Sequence, residues 1–298
     1  MMAKPIPKYL IPTITALHFF ITKLPLKVAY FVMVFVMVKG GEVFLKPKNM
    51  RRNIREAFPD LEEPAVEAVS KKILANFGRH IVEILHIASF KEGKRGFRVD
   101  LSTPEGATFD GKGPAIYIGA HVGSWELCPI VFAERKQPLT IIYTENDSPT
   151  IDNLLMQSRK QTGCHYVEKD NALRACYQAL NRGEAIGLLV DQRVKLGVDV
   201  DFFDKPTAMS RIPARLAMNF NCPIIPMDVV RIKPGHLRVI FHEAIRQTGE
   251  TGKQAELELT QQIACAIQAS ITRNVDSWFC NKLRWKSADR SKFPTKEL

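Results

Sequence analysis

The sequence predicts an α/β fold, a mixed, mostly parallel sheet flanked by helices, preceded by an N-terminal membrane-associated helical segment. Three observations predict it. Short apolar runs too brief for helices recur through the middle of the chain. Stretches with apolar residues at helical spacing lie between them, and the first fifty residues concentrate apolar side chains beside a basic flank. A chain of 298 residues suits one large α/β domain with an appendage. The expected division is residues 1–50 for the membrane-associated segment and 51–298 for the body.

In order along the chain, the greasy segment LIPTITALHFFI precedes LPLKVAYFVMVFVMV at 24–38, which ends in an unbroken apolar run. Neither reaches the roughly 20 residues of a spanning helix. No small-residue cleavage site follows Val38, which speaks against a signal peptide. Lys39, Lys46, Lys48, Arg51, Arg52 and Arg55 then face a single acid, Glu42. An apolar helix with such a flank suits an embedded or interfacial anchor on the cytoplasmic, anionic leaflet.

From Pro64 to Ile87 apolar residues recur at helical spacing until Gly93 and Gly96 interrupt them. Four short runs then read as buried strands: AIYIGA at 115–120, LTIIYT at 139–144, AIGLLV at 185–190 and PIIPMDVV at 223–230. Helical patterns separate them at 150–162, at 171–182 before Gly183, and at 211–220. HLRVIFH at 236–242 reads as a strand antiparallel to 223–231 through the turn KPGH, and a helix over 255–273 closes the fold.

The formal charge of +11 points to anionic partners: a phosphate-bearing substrate, a nucleic acid or an acidic membrane face. The lysines and arginines are dispersed and no stacking aromatics accompany them, so nucleic acid is not expected. Six cysteines without a CxxC pair suggest reduced thiols, and no metal site is expected. GATFDGKG at 106–113 nearly spells a phosphate loop but has Gly113 in place of the hydroxyl residue and leads into a strand. HExxH, GxSxG and dinucleotide fingerprints are absent from the sequence.

The chemistry-bearing stretch is GAHVGSWEL at 119–127. His121 follows a buried strand, where the crevice of an open α/β sheet forms. Glu126 lies five positions on, which is wrong for one helix face and for one strand face, so the two meet only if the chain turns between them. Val122, Gly123 and Ser124 can make that turn, and Pro129 suits the first turn of a following helix. Glu126 is then expected beneath His121, fixing its tautomer while the other ring nitrogen takes a proton from a hydroxyl. Taken alone, the spacing more readily suits a histidine closing a strand and an acid at a helix start. Asp191, Gln192 and Arg193 form a polar triplet after AIGLLV, and Asp191 is a second candidate carboxylate for His121.

GAHVGSWEL resembles the H-x4-[DE] block of the lysophospholipid acyltransferase-like superfamily, and more closely that of the bacterial lipid A biosynthesis (late) acyltransferases. NIREAFPDL at 53–61, the Arg159 to Gly163 segment, VDQR at 190–193, FFDKPTAMSRIPARLA at 202–217 and RWK at 284–286 extend the resemblance over almost the whole chain. It implies a glycerol-3-phosphate acyltransferase-like fold in an acyltransferase domain over 51–298. It also implies transfer of a fatty acyl chain from acyl carrier protein or coenzyme A, a co-substrate and not a cofactor, to a hydroxyl of an anionic glycolipid at the inner membrane. His121 matches the general base, Glu126 its partner, Asp191 the acidic position of a later block, and Arg159 a position facing substrate phosphate. Arg193 and Ser124 complete the candidate substrate contacts. Ser124 stands where asparagine is common, and WFCNKLRWK at 278–286 has Lys282 near an expected histidine, which leaves the acceptor open. A thioesterase-like hydrolase and a non-catalytic membrane-binding module are the competing classes.

Overall fold

The computed structural model describes residues 11–45, 47–104, 113–146 and 148–285. Residues 1–10 and Lys46 of the N-terminal segment, most of the stretch 106–113, and Lys286 lie outside the described residues.

Among the described residues nine strands form: β1 (Arg98–Ser102), β2 (Ala115–Gly119), β3 (Leu139–Tyr143), β4 (His165–Glu168), β5 (Ala185–Leu189), β6 (Val198–Asp201), β7 (Pro206–Met209), β8 (Ile224–Lys233) and β9 (His236–Phe241). Seven make one sheet in the order β1-β9-β8-β2-β5-β3-β4, and β6 and β7 make a separate antiparallel hairpin. Within the sheet every neighbouring pair is parallel except β8 and β9, which pair antiparallel as the KPGH turn predicts. The five strands read from apolar runs are all present.

The strands that sequence reading passes over are β1, β4 and the β6–β7 pair. β1 and β4 are the two edges of the sheet, where one side of the strand meets no partner and polar residues are tolerated. Their RVDLS and HYVE therefore lack an apolar run. The hairpin strand β6 reads VDVD, with Val200 buried and Asp199 and Asp201 exposed.

The helices are α1 (Ile11–Lys23), α2 (Leu26–Phe44), α3 (Pro47–Ala57), α4 (Glu63–Leu85), α5 (Ile87–Lys91), α6 (Pro129–Glu134), α7 (Pro149–Lys160), α8 (Ala172–Asn181), α9 (Ile212–Phe220) and α10 (Lys253–Arg273). β2 shows why the sheet needs cover on both faces. All five of its residues are buried, and successive side chains point to opposite sides. Ile116 and Ile118 join the core with Ile73 of α4, Leu216 of α9 and Ile263 of α10. Ala115 and Tyr117 join the other core, with Ile87 of α5 and Phe132 of α6. All six cysteines are free thiols.

No helix among the described residues is long and apolar enough to cross a membrane. Instead α1 and α2 form a hairpin laid on α4, with Ile21, Ala29, Tyr30 and Met33 buried against Val82. Gly78 lets the backbones meet, since a Cβ there would stand 2.7 Å from the Met33 carbonyl oxygen. The opposite side of the hairpin carries Phe19, Phe20, Val28, Phe31 and Phe35, all exposed.

Candidate active site

The stretch after β2 turns as the glycine predicts. Gly123 has φ +62°, and a Cβ on it would fall 1.9 Å from the Val229 carbonyl oxygen, so only glycine fits both the angle and the space. A single 3-10 turn, Trp125–Leu127, follows, and α6 starts at Pro129. The elbow is held on its other side by residues 277–279. Val122 forms an isolated antiparallel bridge with Trp278, and the Phe279 N–H donates to the His121 carbonyl at 2.8 Å.

His121 is paired with Asp191. Its Nδ1 lies 2.7 Å from Asp191 Oδ1, and the other carboxylate oxygen accepts the Trp278 indole N–H at 3.0 Å. Burial pushes the Asp191 carboxyl up, but the charge and hydrogen bond of His121 and the Trp278 N–H outweigh it and hold the group below its usual range. An ionised carboxylate only accepts, so His121 Nδ1 carries a proton, and in the neutral ring Nε2 is the nitrogen with the lone pair. The His121 side chain is 21% exposed and that of Asp191 3%, so the pair presents one ring edge to solvent from a buried base. Sheet register accounts for the meeting. β2 and β5 are parallel neighbours with Gly119 opposite Leu189, which places His121 opposite Asp191 just past the carboxyl ends of both strands.

Glu126 is not beneath His121, contrary to the expectation from sequence. The 3-10 turn directs it toward α7, where Arg159 donates from Nε at 3.0 Å and Nη2 at 2.6 Å to its two oxygens. The guanidinium also lies over the rings of Tyr143, at 5.1 Å, and Tyr166, at 5.7 Å. Burial works against the Arg159 charge, yet the Glu126 hydrogen bonds and charge raise its affinity for the proton overall. Arg159 is thus the buried counter-ion of Glu126 and not an open phosphate contact, because its fork is already occupied by a carboxylate.

Ser124, expected as a substrate contact, is likewise engaged within the protein. It is 1% exposed, donates to Glu83 of α4, and accepts from Arg231 Nη2 of β8 at 3.2 Å. Glu83 is fully buried and gathers Arg231 Nε at 2.5 Å, Arg231 Nη2 at 2.8 Å and the Tyr30 hydroxyl of α2 at 2.6 Å. Burial, then the charge of Glu83, push the Tyr30 hydroxyl up, so it remains a donor. The elbow is therefore anchored to the helical hairpin through one carboxylate. Arg193 follows Gln192 on the same loop, half-buried.

Trp278, Glu83 and Arg231 are the residues that sequence reading misses. A glutamate inside the apolar run IVEIL of α4 and an arginine inside the strand VVRIK were the available signals, since charges so placed need partners. An aromatic stack flanks the site. Phe77 and Phe279 stack at 3.9 Å, and Trp125 lies between His80, at 3.8 Å, and His121, at 5.2 Å. Burial, then the charges of Arg231, His121 and Arg159, keep His80 neutral by pushing its pKa well below the usual value. The backbone N–H groups of Val122, Gly123 and Ser124 point to Ala120, Ser277 and Val229 carbonyls, so the elbow's own amides face the fold and not a developing oxyanion.

A histidine held by a buried carboxylate thus stands at the carboxyl edge of a mostly parallel sheet, within an H-x4-E block, and the family match makes the chain an acyltransferase. The chain belongs to the bacterial lipid A biosynthesis acyltransferase family, whose model matches residues 5–287. It is similar to a phosphatidylinositol mannoside acyltransferase of Mycolicibacterium smegmatis, 19% identical over 80% of this chain and 79% of that protein. A lipid A biosynthesis acyltransferase of Haemophilus influenzae is 23% identical over 82% of this chain and 79% of its own length. The solved 1-acyl-sn-glycerophosphate acyltransferase of Thermotoga maritima aligns with 82% of this chain and 95% of its own at 11% identity, with a TM-score of 0.38.

Proposed function

We propose that the protein moves a fatty acyl chain from a thioester, on acyl carrier protein or coenzyme A, to a hydroxyl of a membrane glycolipid. The acceptor is either a lipid A precursor or a phosphatidylinositol mannoside, the two classes named in its relatives. The observation that carries the reading is the His121–Asp191 hydrogen bond, which leaves Nε2, met at 3.4 Å by the Gln192 amide, as the nitrogen that takes a proton.

In the step proposed, His121 Nε2 accepts the proton of the acceptor hydroxyl as its oxygen bonds to the thioester carbonyl carbon. The tetrahedral adduct then expels the thiolate, and the imidazolium returns the proton to that sulfur. Asp191 holds the ring and stabilises the imidazolium without taking the proton. A thioester is already activated, so alignment and proton removal are the main tasks and no covalent serine is needed. Glu126 acts indirectly, by fixing the turn that carries His121 against α7.

The apolar side of the α1–α2 hairpin supports a place on the membrane. Phe31 is 74% exposed and Phe20 63%, and Lys23, Lys27 and Lys39 are exposed on the same two helices. Aromatic side chains with a basic fringe suit the anionic, cytoplasmic face of an inner membrane. The hairpin in this reading lies on the leaflet, and the excess positive charge draws in an acidic carrier protein or an anionic lipid.

The test is incubation of the protein with labelled acyl carrier protein or acyl-CoA and a panel of lipid acceptors in vesicles, followed by mass spectrometry. A His121-dependent gain of one acyl chain on a glycolipid is expected. Release of free fatty acid alone, with acceptor present, would favour a hydrolase. Wild-type and His121→Ala proteins that bind vesicles alike and turn over nothing would leave a membrane-binding module.

A further inference from the structure

We propose that Gln192 reads the acceptor, its side-chain amide bonding a second hydroxyl beside the one His121 deprotonates, so that the acylated hydroxyl belongs to a sugar. This rests on the glycolipid reading above. Two observations carry it. The Gln192 amide nitrogen lies 3.4 Å from His121 Nε2, the nitrogen that must receive the proton. Beside it opens a small cleft lined by Gln192, Phe279, Lys282 and Arg284, with the buried Asp191 at its base.

An acceptor hydroxyl has to come within about 2.6–3.2 Å of Nε2 to give up its proton. The Gln192 amide stands at the edge of that position. When the hydroxyl enters, the amide is displaced by a rotamer step, and the atoms it then meets are those attached next to the reacting oxygen. A carboxamide offers two N–H donors and a carbonyl acceptor, which matches a hydroxyl that both donates and accepts. It also carries no charge. A carboxylate there would favour the protonated imidazole and blunt the base, while an ammonium would disfavour the imidazolium that the reaction forms. The cleft continues the match. Phe279 is half-buried with one face stacked on Phe77, and the exposed Lys282 supplies a cation for a phosphate. Gln192 exchanges no proton, and its contribution is selection of the acceptor.

The experiment measures kcat/KM for acyl transfer from labelled acyl carrier protein to three acceptors in the same vesicles. These are a mannosylated phosphatidylinositol, the same lipid with the hydroxyl next to the acylated one replaced by hydrogen, and a lipid whose only free hydroxyl sits on an alkyl chain. The wild type is expected to prefer the intact sugar about tenfold or more over the deoxy lipid, the size of one well-formed hydrogen bond. In Gln192→Leu that ratio falls close to one through loss of activity on the intact sugar. Gln192→Met, which keeps the side-chain length without the amide, should lose the ratio in the same way and serves as the test if the leucine variant does not fold. Equal ratios in wild type and Gln192→Leu overturn the proposal, as does a wild type that acylates the isolated hydroxyl as well as the sugar. Wild-type protein that acylates none of the three overturns this proposal, and the glycolipid reading falls as well if a lipid A precursor in the same vesicles gains no acyl chain. Wild-type activity with an unchanged ratio removes only the role of Gln192.

Discussion

His121 Nδ1 and Asp191 Oδ1, seventy residues apart in the chain, lie 2.7 Å from each other because the strands that precede them are parallel neighbours in register. Replacing Asp191 by Asn leaves the geometry nearly intact but presents an amide that can donate, so Nδ1 loses its acceptor and Nε2 takes the proton. By analogy with the same substitution in a serine-protease triad, kcat should fall about ten-thousand-fold. Substrate affinity should change little, and pre-steady-state acyl transfer by Asp191→Asn beside the wild type checks both. A loss of less than tenfold would remove Asp191 from the proton-transfer pair.

Glu126 and Arg159 should behave as a structural ion pair. Their side chains are 13% and 10% exposed. Glu126→Gln leaves a buried guanidinium without its counter-charge, which costs about 3–5 kcal/mol. Replacing both residues by leucine or methionine should restore much of that stability, because the second charge goes as well. Urea titrations of the two singles and the double give the coupling energy, and additive effects would contradict the pairing.

The Glu83 hub separates an anchoring role for Ser124 from a binding one. Ser124→Ala removes one donor from a cluster in which Glu83 retains Tyr30 and Arg231, so it should cost about 1 kcal/mol and leave the acceptor KM unchanged. Glu83→Gln uncouples α2, α4, β8 and the elbow together, and a loss of about 3 kcal/mol or more is expected. A Ser124→Ala protein of native stability with a raised acceptor KM would return this side chain to the substrate.

Acid stability should depend on Asp228. Burial pushes this carboxyl up, but hydrogen bonds from His242, Ser270 and Arg273 outweigh it, and its pKa in the folded protein is lowered. With the folded value below the unfolded one, near 3.9, the contribution is complete above the unfolded pKa and is lost as pH falls through the folded value. Asp228→Asn should therefore flatten the dependence of Tm on pH below about 4 and leave the slope at neutral pH unchanged. An identical acid limb in both proteins would show that the carboxyl titrates normally in the fold.

Much of the architecture was legible because burial on both faces writes itself into the chain. β2, β3, β5 and β8 appear as apolar runs, α4 and α10 as helical periodicities, and the β8–β9 pairing as a turn signal. β1, β4 and the β6–β7 hairpin were not legible, since edge and hairpin strands keep polar residues and lack that pattern. At the site, the turn through Gly123, the histidine just past the strand and the helix starting at Pro129 were all readable from residue chemistry and spacing.

The sequence by itself determined that His121 sits on an elbow after a buried strand, and it offered Glu126 and Asp191 as candidate carboxylates for it. Only the tertiary structure decided between them. Strand order is a long-range property: nothing local to AIYIGA or AIGLLV says that β2 and β5 are neighbours, or that Gly119 pairs with Leu189. Once they do, Asp191 arrives at Nδ1, Trp278 caps its free oxygen, and Glu126 is left to neutralise Arg159 from α7. Proximity in sequence suggested the partner, and the register of two parallel strands supplied another.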